Sequence, residues 1–218
     1  MNRTIKYVIN DRLPITFIVL YVAGLALYVM PFTHELFILA TPYTLVLVSI
    51  AIFLHHKKWN KKTIAVLASI FVISIVTEII GVATGKLFGD YQYGQGLGFK
   101  IADVPIIIGL NWVFLVYASN GIISKYTSNN ILIIGGASLL MVVYDIVLEK
   151  AAPLMDMWLF FENNPPLNNY VMWFLLALFF NTVVQAFKVY TSNSAARWLF
   201  FIQFVFLIAI IVSNYLIY

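Results

Sequence analysis

Glu78, Asp145 and Glu149 lie inside apolar runs long enough to cross a lipid bilayer. Ionisable groups at that depth are costly, rare and functional by default. Glu149 follows Asp145 by four residues, so the two share one face of a helix. Two carboxyls close together in a low dielectric do not ionise together easily: one keeps its proton and is a general acid, and its ionised partner is a base. Set among Trp, Tyr and Phe, such a pair suits protonation of a carbon–carbon double bond. The acid supplies the proton, aromatic faces stabilise the developing cation, and the base helps water attack. A lipid polyene reached from the bilayer is the substrate this chemistry implies.

The elements that must position these residues follow from composition. The chain of 218 residues is 62% hydrophobic and 10% charged, with a mean hydropathy of +0.94. A water-soluble fold of this size has no room to hide so much apolar surface, and ordinary soluble domains carry roughly 25% charged residues. The class is an all-α integral membrane protein, one domain over residues 1–218. Seven spans are expected, over 13–32, 36–54, 63–83, 104–119, 130–150, 170–189 and 197–217. The fourth is short and is interrupted by Asn111. The polar stretch Met1–Asp11 and the long run after it do not form the pattern of a cleavable signal peptide.

Lysines and arginines set the orientation. Ten (Arg3, Lys6, Arg12, Lys57, Lys58, Lys61, Lys62, Lys125, Lys188 and Arg197) fall on one side, against three (Lys86, Lys100 and Lys150) on the other. This puts the N-terminus in the cytoplasm and describes a multi-pass protein of the cell membrane. The acids run the other way, with Asp11 alone on the cytoplasmic side. The net charge of +4 matters through this placement and does not point to nucleic acid.

Depth brings the polar residues together. Glu78 and Asp145 each lie roughly 7–8 Å inside the exofacial boundary, and Asn111 with Trp112 lies roughly 12 Å down, taking 1.5 Å per residue. Asn181 falls near mid-membrane. The loops Gly81–Asp103 and Ala151–Tyr170 are long and aromatic, and read as ordered caps over the exofacial end. They supply Asp90 and Asp103 at the mouth, to bind or activate water, and Tyr91, Tyr93 and Trp158 to contact substrate or stabilise a cation. Gly81 and Gly85 read as close helix packing, and Asn181 with Gln185 as interhelical hydrogen-bond partners. Thr41, Pro42 and Thr44 mark a kink in the second span relieved by hydroxyls.

Other chemistries find less support. Iron-dependent membrane oxidases need many His ligands, whereas His34 lies a membrane away from His55 and His56. Thiolate and iron–sulfur chemistry needs cysteine, and there is none. A retinal protein needs a Lys in the last span, and there is none. No phosphate loop appears in its required context, and the inverted repeat of a carrier is not visible.

The segment Thr77-Glu78-Ile79-Ile80-Gly81, with Gly85, Phe88-Gly89-Asp90-Tyr91, Tyr93, Leu97-Gly98 and Val104-Pro105, resembles the signature of the CruF-type carotenoid biosynthesis proteins, which are multi-span carotenoid 1,2-hydratases. A second block is similar: Asp145 with Glu149, Trp158, Pro166-Leu167-Asn168-Asn169-Tyr170 and Trp173. The match covers about residues 70–175. Two features depart from the family pattern. Glu149 is followed by Lys150, with no Asp-Pro pair, and the spacing around Trp158 is not Trp-x-Trp. The resemblance implies addition of water to the terminal double bond of an acyclic carotenoid end group, as in lycopene or γ-carotene, without a cofactor.

The expected site therefore has Glu78, Asp145, Asp90 and Asp103 as catalytic candidates. Tyr91, Tyr93, Asn111, Trp112, Glu149 and Trp158 are the substrate-binding ones, and no metal ligand is expected. The acid and base roles of Glu78 and Asp145 stay unassigned. Partners are a membrane-dissolved carotenoid, the bilayer and other carotenoid-pathway enzymes. An end-group cyclase and a non-enzymatic polyene or lipid carrier are the alternatives.

Overall fold

The computed structural model describes residues 3–217, with side chains described over 12–217. Seven helices run α1 (Arg3–Val29), α2 (His34–Leu54), α3 (Lys61–Thr84), α4 (Ile107–Ile123), α5 (Asn130–Ala151), α6 (Leu167–Ala186) and α7 (Ser194–Ile217). All except α4 are long and apolar enough to cross a membrane. This is the all-α membrane bundle expected. The fourth element departs in register, because residues 104–105 form a short strand and α4 starts at Ile107.

α4 is the organising element. Its 17 residues span about 25 Å at the usual rise, short of the roughly 30 Å hydrocarbon core. Almost every side chain from Ile107 to Ile122 is buried, and α2, α3, α5, α6 and α7 all pack around it. A helix apolar on all sides belongs in such a position. It does not need to reach both membrane surfaces, because its neighbours keep it from lipid.

Helix ends follow local chemistry. The Asn60 side chain accepts from Thr63 N at 2.8 Å to start α3, and Asn129 caps α5 in the same way. Gly85 ends α3 in the left-handed conformation (φ 64°), its N–H donating to Gly81 O at 2.8 Å. This corrects the reading of Gly81 and Gly85 as a helix-packing pair. Gly85 is a terminator, and Gly81 faces a loop: a Cβ there would sit 2.7 Å from the Phe88 ring. In α2, the Thr41 hydroxyl donates to Phe37 O at 2.8 Å one residue before Pro42.

Both long loops are ordered and joined. Strand β1 (Tyr91–Tyr93) pairs antiparallel with β4 (Trp158–Phe160), placing Tyr91 opposite Phe160 and Tyr93 opposite Trp158. Strands β2 (Lys100–Ile101) and β3 (Val104–Pro105) form a hairpin turned by Ala102 and Asp103, both at positive φ. These ribbons define one end of the bundle. Lys57, Lys58, Lys61, Lys62, Lys125, Lys188 and Arg197 lie in connections or helix termini at the opposite end. Arg3, Lys6 and Asp11, which also entered the orientation argument, fall outside the residues whose side chains are described.

Candidate active site

Glu78 is buried in the last two turns of α3, where the β1 ribbon folds back over it. Tyr91 and Tyr93, on alternate residues of β1, both donate their hydroxyls to Glu78 Oε2, at 2.6 and 2.8 Å. Trp112 Nε1, one turn into α4, donates to Oε1 at 3.2 Å. Burial and the neighbouring Glu78 carboxyl push the Tyr91 and Tyr93 phenols above their ordinary value, so both remain protonated donors. Trp112 is held in place by stacking on Trp173 of α6, with ring centroids 4.3 Å apart.

Asp145 and Glu149 form the second half of the site. Asn169, in the first turn of α6, places one amide nitrogen between them: Nδ2 donates to Glu149 Oε1 at 2.9 Å and to Asp145 Oδ2 at 3.2 Å. Trp158 Nε1, on β4, donates to Glu149 Oε2 at 2.9 Å. Among the described residues Asp145 Oδ1 has no hydrogen-bond partner. Asp145 is fully buried, and Glu78 and Glu149 are 5% and 6% exposed. Among the described residues, every group that hydrogen-bonds the three acids is neutral: two phenols, two indoles and one amide.

Two cavities meet here. A small one is lined by Glu78, Glu149, Asn169, Tyr91, Tyr93 and Trp112 among others. Asp145 is absent from its lining and lies one helical turn before Glu149 on α5. Alongside lies a chamber of about 190 Å³, with walls from α1, α2, α4, α5 and α7 and a roof of Leu97, Met155 and Met157. Ile108, Asn111 and Trp158 line both cavities. The carboxyls thus adjoin a largely apolar space.

Of the residues singled out in the sequence, Glu78, Glu149, Tyr91, Tyr93, Asn111, Trp112 and Trp158 line the small cavity, and Asp145 joins them through Asn169. Asp90 and Asp103 are not brought in. Both are exposed; Asp103 is a turn residue of the β2–β3 hairpin, and the Asp90 carbonyl accepts from Phe161 N. Asn181 also lies elsewhere. Near the end of α6 it accepts from Asn120 Nδ2 at 3.1 Å, while Asn120 Oδ1 accepts from Gln185 and Thr191. That interhelical node lies toward the opposite end from the acids, not beside them at mid-membrane. Asn169 and Trp173 were not singled out for a role. Their one signal is the Pro166–Trp173 stretch, which carries an amide and an indole at the start of a span.

The family model described as carotenoid biosynthesis protein matches residues 34–218. The chain belongs to the carotenoid biosynthesis protein family. No curated protein and no solved structure matches it. Its role is in carotenoid biosynthesis, and its multi-pass bundle fits a lipophilic carotenoid dissolved in the bilayer.

Proposed function

We propose that this member of the family is a carotenoid 1,2-hydratase. It adds water to the terminal double bond of an acyclic end group, such as that of lycopene or γ-carotene, and yields a tertiary alcohol. The observation that carries this reading is the shared wall of Ile108, Asn111 and Trp158 between the carboxyl cavity and the apolar chamber. An isoprenoid end in the chamber reaches the acids at that wall, while the rest of the polyene stays in apolar surroundings.

In this reading Glu149, facing the cavity, gives its proton to the less substituted carbon of the double bond. Asp145 shares the Asn169 amide with it and is the reserve from which the proton is replaced. The tertiary cation forms next to the Trp158 and Tyr93 rings, whose faces stabilise positive charge by about 0.5–2 kcal/mol each. Glu78, which accepts three hydrogen bonds, is the base. It takes a proton from the water that bonds to the cationic carbon. Return of that proton to the Asp145–Glu149 pair restores the site, so the net change is alkene plus water to alcohol. The basic end of the bundle faces the cytoplasm, and the acids react in the outer half of the membrane.

Expression of the unmodified protein, Glu149→Gln and Glu78→Gln in cells that make lycopene or γ-carotene tests the proposal by pigment mass. The unmodified protein is expected to add the mass of one water, and each variant to lose roughly 10²–10⁴-fold in rate. Persistence of the gain in both variants removes these acids from the mechanism. A rearranged pigment of unchanged mass identifies a cyclase instead.

A further inference from the structure

The chamber wall carries a row of polar groups that no step above uses. Tyr144 on α5 donates its hydroxyl to Gln203 Oε1 on α7 at 3.2 Å, and Gln203 Nε2 donates to the Tyr21 hydroxyl on α1 at 2.6 Å. All three residues are buried and line the largely apolar chamber. Their protons do not balance. Tyr21 accepts from Gln203, and its own O–H has no acceptor among the described residues. Turning the Gln203 amide over exchanges the roles of the two phenols and leaves the same surplus. Asn111 of α4, which lines the same chamber, makes no side-chain hydrogen bond among the described residues.

A buried donor without an acceptor is costly in an apolar medium and is relieved by a ligand atom that accepts. The chamber has walls for a hydrocarbon chain and a donor for one oxygen. We propose that the Tyr21–Gln203–Tyr144 row is an oxygen-recognition site, holding the hydroxyl of an isoprenoid alcohol whose chain fills the chamber. The ligand oxygen accepts from the free phenol, and its own proton has the Asn111 carbonyl lining the same chamber. The proposal rests on the chamber being an isoprenoid site and not on the hydration step. It makes the chamber a better host for an oxygenated chain than for the parent hydrocarbon.

The test is binding in lipid nanodiscs, with lycopene as quencher of tryptophan fluorescence, since Trp158 lines the chamber. Displacement of lycopene is titrated with geranylgeraniol and with the same chain lacking its hydroxyl. The triple variant Tyr21→Phe/Gln203→Leu/Tyr144→Phe removes all partners at once, the kind of change that is close to neutral for stability. The preference for alcohol over hydrocarbon is expected to be roughly 2- to 10-fold greater in the unmodified protein than in the triple variant. Quenching by lycopene should persist in both. Equal preference in the two proteins, with quenching intact, overturns the oxygen site alone. No quenching of the unmodified protein overturns the isoprenoid chamber and the oxygen site with it. Hydration is read separately by pigment mass.

Discussion

Replacing Glu78 by Gln and by Leu separates what this residue does for structure from what it does for chemistry. Three donors converge on it, two on Oε2 and one on Oε1. A phenol can turn and accept, whereas an indole N–H only donates. In Glu78→Gln the carbonyl therefore faces Trp112 and the amide nitrogen faces Tyr91 and Tyr93, which become acceptors. The two phenol protons then lose their acceptor, so the expected loss of stability is about 1–3 kcal/mol. Glu78→Leu leaves three donors without a partner. Hydrogen bonds within membrane proteins are worth about 0.6 kcal/mol on average and up to about 1.7, so three give a loss of about 2–5 kcal/mol. Detergent-driven unfolding in mixed micelles, followed by tryptophan fluorescence, measures both. Within the Leu background the sign reverses: Tyr91→Phe and Tyr93→Phe should each restore stability, because each removes an orphaned donor. Both Glu78 variants should be inactive, with the Leu variant the less stable of the two. A Leu variant as stable as the unmodified protein, or a phenylalanine that destabilises it further, refutes the network.

Gly81→Ala puts a Cβ 2.7 Å from the Phe88 ring and 3.4 Å from the Tyr91 hydroxyl, so it should cost about 1–3 kcal/mol and lower pigment conversion by displacing Tyr91 from Glu78. Asn120→Leu removes the node that holds Asn181, Gln185 and Thr191. It should lower stability by about 2–5 kcal/mol on the same scale, yet leave conversion per folded molecule unchanged. His56, beyond the end of α2, is held below its usual value by burial, and its Nδ1 meets the Tyr117 hydroxyl at 2.8 Å. A histidine kept neutral in the fold stabilises above its unfolded value of about 6.5, and that contribution is lost as pH falls. Melting curves between about pH 7.5 and 5.5 should show a steeper acid loss for the unmodified protein than for His56→Gln.

Much of the helical plan was legible because apolar runs of this length have few other fates, and the buried acids stood out because carboxyls are costly there. The loop acids misled for the opposite reason. Asp90 and Asp103 sit at the surface, where a carboxylate costs little and Asp is simply a good turn residue. Gly81 and Gly85 showed the limit of a spacing rule: the same two glycines fit a packed helix pair or a helix that ends, and only the chain beyond Gly85 decides. Asn169 could not be ranked from sequence, since its role arises from one amide reaching two acids on another helix. The Tyr21–Gln203–Tyr144 row was invisible for a related reason. Tyr21 and Gln203 are 182 residues apart, and neither type is unusual in a span until the space between α1 and α7 is seen.

The pairing of β1 with β4 also bears on how the protein is made. Glu78 and its three donors all precede the basic turn between α4 and α5, whereas Asp145, Glu149, Trp158 and Asn169 all follow it. Each half of the polypeptide thus carries a self-contained set of acids and donors, with one exposed strand edge to find the other. Synthesis that has delivered four helices has delivered Glu78 and its three donors but none of the groups that bond Asp145 and Glu149. Chains severed in that turn hold the parts needed to reassemble by strand pairing at the ribbon end of the bundle.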